Sequence, residues 1–131
     1  MKRSALGSFI LGFALFMAAP LLAHHSFMAE FDLNRPVTLK GVVTKVEWVN
    51  PHAAFYIEVT DGNGEVRTWA IQSASPGALM RRGWMRNSLK PGDRVTVEGF
   101  RAKKDVFFAA SLAVTLADGR RFFADSDGVE P

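Results

Sequence analysis

Between Val37 and Ala124, apolar and polar residues alternate in short runs. The cleanest is AAFYIEVT, residues 53–60, in which Phe55, Ile57 and Val59 point one way and Tyr56, Glu58 and Thr60 the other. Such a period of two is that of a strand with one buried face. The turn DGNG, residues 61–64, returns the chain as a hairpin into EVRTWAIQ, residues 65–72. Upstream, VTLKGVVTKVEWV (37–49) is rich in β-branched residues, but its apolar parity switches. Val37, Leu39, Gly41 and Val43 share one parity, Val46 and Trp48 the other. This switch predicts a bulge or strong coil in one long strand, with Gly41 easing the bend. RVTVEGF (94–100) reads as a fourth strand with Val95 and Val97 inward. VFFAASLAVTL (106–116) reads as a fifth, with Val106, Phe108, Ala110, Leu112, Val114 and Leu116 on one face. Asp118-Gly119 turns the chain into RRFFA (120–124), a short sixth strand.

One stretch breaks the period. In SASPGALMRRG (73–83), Ser75 suits an N-cap, Pro76 the first helical position and Gly83 the C-terminal end, with Arg81 and Arg82 in the last turn. One short helix is expected there, followed by the turn LKPGD (89–93). Three strands, a helix, two strands and an added arm predict an all-β fold. It is a small five- to six-stranded barrel of the oligonucleotide/oligosaccharide-binding (OB) type, with one short helix between strands 3 and 4. The expected organisation is a leader over 1–23, a lead-in segment over 24–36, the barrel over 37–124 and a loose polar tail over 125–131. Within the lead-in, Phe27 and Phe31 lie four apart and share a face of a helical turn, which suits them to pin this segment onto the barrel.

The leader is expected from Lys2 and Arg3 ahead of an apolar run from Ala5 to Ala19, then Pro20 and a small residue at Ala23. Cleavage after Ala23 makes His24 the first residue of a periplasmic chain. The chain of 131 residues carries 16 basic and 13 acidic residues. Loss of Lys2 and Arg3 leaves the signs almost balanced, so no nucleic-acid partner is expected. Nor is membrane contact expected once the leader is gone. With no cysteine, the chain has neither disulfides nor thiolate ligands.

The candidate chemistry lies with the three histidines. His24 and His25 open the processed chain, and His52 lies in NPH (50–52), between the first two strands. A terminal histidine chelates a metal through its α-amine and ring Nδ1 together. A second imidazole completes the T-shaped, three-nitrogen set called a histidine brace. Such donors favour Cu(II). His52 is a better partner for His24 than the adjacent His25, which cannot share the chelate without strain. Met28 is a candidate axial thioether, and Asn50 or Glu30 a residue that orients a ligand. Other constellations carry less. Ser73, Ser75 and Ser111 lack a histidine–aspartate signature and no GxSxG occurs. Glu47, Glu58, Asp61 and Glu65 read as outward strand or turn residues. Trp48, Trp69, Trp84 and Tyr56 are candidates for a stacking surface but equally for packing. Arg81, Arg82, Arg86 and Lys90 form a local basic patch.

With AHHSF after the leader, FD at 31–32, VTLKGVVTKVEWVNPHA at 37–53, Trp69, SPGALMRRGW at 75–84, LKPGDRVTV at 89–97 and VTLADGR at 114–120, the chain resembles the bacterial family called domain of unknown function 6152. It departs at AKKD (102–105), where members commonly carry an RDG-like turn. The resemblance implies an exported single-domain protein and no established activity. The double histidine and NPH belong to the family pattern, so it singles out His24, His25 and His52. The expected function is therefore a periplasmic binding protein that holds copper through His24 and His52 without turnover. Its partner is then a metal ion or small ligand, or a partner protein. Two rivals stand beside this: a metal-free module binding a sugar, peptide or protein on the barrel face, and a copper-dependent oxidative enzyme.

Overall fold

The computed structural model describes residues 27–125. Its elements are β1 (Phe31–Glu47), β2 (Ala54–Thr60), β3 (Val66–Gln72), α1 (Pro76–Arg81), β4 (Arg94–Ala102), β5 (Phe108–Leu116) and β6 (Arg121–Phe123). The sheet runs β3-β2-β1-β4-β5-β6, and a parallel pairing of β3 with β5 closes the first five strands into a ring. This is the expected OB-type barrel, with α1 between β3 and β4 and β6 as an added arm.

β1 is long because it serves two ladders. Its first half pairs with β4, from Phe31 opposite Ala102 to Val42 opposite Arg94. Its second half pairs with β2, from Val42 opposite Glu58 to Glu47 opposite Ala54. The parity switch read from the sequence is a bulge. Val43 faces Ile57 and Lys45 faces Tyr56, leaving Thr44 as the extra residue. Leu39 and Val43 are buried before it, and Val46 and Trp48 pack on the same core after it. Gly41 plays a different part from the hinge expected of it: a Cβ there would sit 2.5 Å from the Glu58 carbonyl oxygen, so glycine lets β1 and β2 close up. The strand also starts earlier than its expected first residue, Val37. Part of the expected lead-in is β1, because Phe31 pairs with Ala102 ahead of an irregular stretch reaching Pro36.

β5 departs most from expectation. It starts at Phe108, with Val106 exposed in the preceding turn, and its apolar residues do not share one face. Glu98 pairs with Ala113 but Gly99 with Ser111, so Leu112 is an extra residue and parity flips there. Ala109, Val114 and Leu116 enter the barrel core with Phe55, Ile57, Ile71, Leu79 and Val97. Phe108, Ala110 and Leu112 join a second cluster with Phe27, Phe31, Phe100 and Ala102. At the bulge the strands touch backbone to backbone: a Cβ on Gly99 would lie 1.9 Å from the Ala110 carbonyl oxygen.

The closing seam is fixed by polar groups. Ser73 and Ser111 are both buried, their hydroxyls 2.8 Å apart, and the Ser111 hydroxyl donates to the Gln72 carbonyl at 3.2 Å. Beyond it, Ala124 N–H donates to Leu112 O, Ala74 N–H to Ala124 O, and Ala53 N–H to Ala74 O. α1 begins as expected, with the Ser75 hydroxyl accepting from Ala78 N–H and Pro76 leading the first turn. Arg82 is the C-cap and Gly83, with φ +90°, follows it.

Gly99→Ala is expected to cost about 3 kcal/mol, because the added methyl meets backbone that cannot yield without moving β5. Gly62→Ala, where a Cβ meets nothing within 4 Å, is expected to be near neutral. Urea unfolding of the two variants checks the contrast.

Candidate metal site at the lead-in and the β1–β2 loop

His24 and His25 lie outside the described residues. What is described is the platform that follows them. Residues 27–30 form a helical turn whose Phe27 ring packs 4.9 Å from that of Phe31, which in turn meets Phe108 edge-on at 5.2 Å. Phe27 and Phe31 are both buried. The Lys103 ammonium donates to the Met28 carbonyl at 2.5 Å and Lys103 N–H to the Glu30 carbonyl at 2.9 Å. The two rings thus fasten the lead-in as expected, but onto the outer face of β4 and β5 rather than into the barrel core. Met28 itself is exposed.

His52 is exposed on the loop between β1 and β2, which contains a cis Asn50-Pro51 peptide. The loop's end is held to the barrel, since Ala53 N–H donates to Ala74 O and Ser73 N–H to Ala53 O. Among the described residues no hydrogen bond engages the His52 ring. The barrel relates this loop to the lead-in through two ladders: Ala54 pairs with Gln72, and Gln72 with Ala110, whose side chain belongs to the Phe27–Phe31 cluster. Two strand spacings separate Ala54 from Ala110 by about 10 Å. His24 is three residues from Phe27 and His52 two from Ala54, each residue reaching about 3.3 Å. Among the described residues alone, no group of three or more histidine, aspartate or glutamate side chains converges, and no described contact joins Met28 to His52.

At the root of the loop, Glu47 pairs with Lys45 and accepts from the Tyr56 hydroxyl at 3.4 Å. The hydrogen bond from Lys45 holds the Glu47 carboxyl below its ordinary range, and the same bond raises the Lys45 ammonium. Glu47 therefore stays ionised to a lower pH than an unpaired carboxylate, and its pairing is lost as pH falls through that lowered value. Its charge is already matched by Lys45.

The remaining sequence candidates resolve as structure. Trp69 and Trp84 are buried in the core, and the Trp84 indole donates to Phe123 O at 2.8 Å, so they form no stacking platform. Ser73 and Ser111 bond to each other, and Ser75 caps α1. Asp61 organises its own hairpin, accepting from Asn63 N–H and Glu65 N–H. Sequence reasoning missed Lys103 as the clamp on the lead-in. Phe100, of opposite parity to Val95 and Val97, hinted that this face needed a cover, but nothing in the sequence points to Lys103 itself.

Comparison with known proteins adds a family. The profile of a family described as a family of unknown function, DUF6152, matches residues 14–107. No curated protein matches the chain. Among solved structures, the crystal structure of the mitochondrial single-stranded DNA binding protein Rim1 from S. cerevisiae is similar with a TM-score of 0.48 and 12% identity, over 63% of this chain and 92% of that one.

Phe27→Ala combined with Lys103→Met is expected to speed amide hydrogen exchange at residues 28–30 while leaving protection in β2 and β3 unchanged. Phe31→Ala, which empties the middle of the outer cluster, is expected to cost about 4 kcal/mol in denaturant unfolding.

Proposed function

This chain belongs to the family of unknown function DUF6152, and we propose that it is an exported, periplasmic copper-binding protein whose site forms when cleavage after Ala23 frees the His24 amine. The amine and His24 Nδ1 supply a chelating pair, and the His52 ring supplies the third nitrogen. Met28 stands near the chelate in sequence as a thioether suited to Cu(I), and His25 is the alternative imidazole. The role is to hold or hand over copper, with no turnover.

One observation carries this reading. The exposed His52 ring sits on a loop tied to β3, and the same β3 is joined through β5 to the cluster that fastens the lead-in. A chelate on a free peptide end orders its own chain when metal binds. Here much of that ordering is already done by Phe27, Phe31 and Lys103, which favours tight binding.

The exported protein, its terminus checked by mass spectrometry, is expected to begin at His24 and to keep close to one copper per chain through desalting. His52→Ala is expected to weaken copper more than about a hundredfold, and so is a chain with one residue left ahead of His24. A terminus elsewhere, or full retention of copper by the His52→Ala protein, sinks the proposal.

A further inference from the structure

The surface around α1 carries an unusual charge pattern. From Val66 to Gly92 the chain holds no aspartate or glutamate but five cations; Arg67, on β3, pairs with Glu65, which leaves Arg81, Arg82, Arg86 and Lys90 around α1. The local sequence repeats around α1: Leu79-Met80-Arg81 and Trp84-Met85-Arg86. In each triplet the first residue is buried, while Met80 and Met85 are 57% and 59% exposed and their arginines are exposed too. The two triplets are tied by the Trp84 N–H donating to Leu79 O at 3.0 Å. The Trp84 indole is bonded to Phe123 O, and the Phe123 side chain is itself 49% exposed. Methionine is usually a buried residue. Two methionines held outward beside two arginines by a fixed scaffold therefore call for a partner. Among the described residues, Arg81 and Arg86 have no acidic partner, whereas Arg82 is tied to Asp125 and Lys90 lies 3.8 Å from Asp93.

We propose that this face adsorbs to an anionic lipid surface, with Met80 and Met85 entering the upper acyl region and Arg81 and Arg86 meeting phosphate headgroups. The area decides between a membrane and a protein. A stable protein interface takes about 800 Å² from each partner with a well-packed apolar centre, whereas only Met80, Met85 and Phe123 are exposed large apolar residues here. A charged bilayer needs only a few flexible apolar anchors among cations, each of which adds attraction. The basic surface around α1 fits that partner, a proposal that departs from the sequence-based expectation of no membrane contact. The proposal is independent of the copper reading.

The test is sedimentation of the exported protein with vesicles of equal parts phosphatidylglycerol and phosphatidylcholine, against pure phosphatidylcholine. Binding to the anionic vesicles alone is expected, weakened by salt. The pair Arg81→Gln and Arg86→Gln is expected to weaken it at least about tenfold. The pair Met80→Ser and Met85→Ser is expected to weaken it severalfold at unchanged charge. All carry the same N-terminus, so residual leader cannot explain a difference, and unchanged melting temperatures show that the fold is kept. No adsorption, equal adsorption by all variants, or capture of a soluble acidic protein without vesicle binding overturns the proposal.

Discussion

Three pairs, Ala70 with Phe108, Ile71 with Ala109 and Gln72 with Ala110, turn a sheet into a barrel. Everything else in the molecule is arranged so that this short parallel seam can form. It lets Ile71 and Ala109 meet in one enclosed core, and it removes most of the exposed edge that β3 would otherwise present. It also gives one route through which the β1–β2 loop is related to the cluster that holds the lead-in. The Ser73–Ser111 hydroxyl pair lies beside it in the interior, where two small polar groups satisfy one another and the Gln72 carbonyl.

A seam this short places a demand on β5. The strand must approach β3 at its start and β6 at its end while crossing β4 closely enough that Gly99 nearly touches the Ala110 carbonyl. The bulge at Leu112 meets the demand by rotating the strand. As a result, one strand lines two separate apolar clusters, with Val114 and Leu116 inside and Phe108 and Ala110 outside. The outer cluster would be a liability if bare. Phe27 and Phe31 cover it, so the packing need of β5 and the anchoring of the lead-in are one solution.

Much of the fold was legible because it rests on local rules. Ser75-Pro76 and Gly83 mark a helix, Asp118-Gly119 marks a hairpin, and the parity change from Val43 to Val46 marks a bulge. The second bulge was hidden. Alanines at 109 and 110 and an apolar Leu112 let β5 be read with an unbroken period of two, since small apolar residues suit either face. Pairing partners also decided where β1 begins: Phe31 is a strand residue because Ala102 faces it, a relation across many residues that no local pattern encodes. Of the candidate site, the place of His52 on the β1–β2 loop and the pinning role of Phe27 and Phe31 were legible. The Lys103 clamp was not, because a lysine in a turn gives no sign of the carbonyl it will reach.

Ala124 has a last consequence. It is a rung between Leu112 and Ala74, continuing the closure where β3 and β5 have parted. Synthesis from the amino terminus therefore delivers this rung after all five strands of the ring.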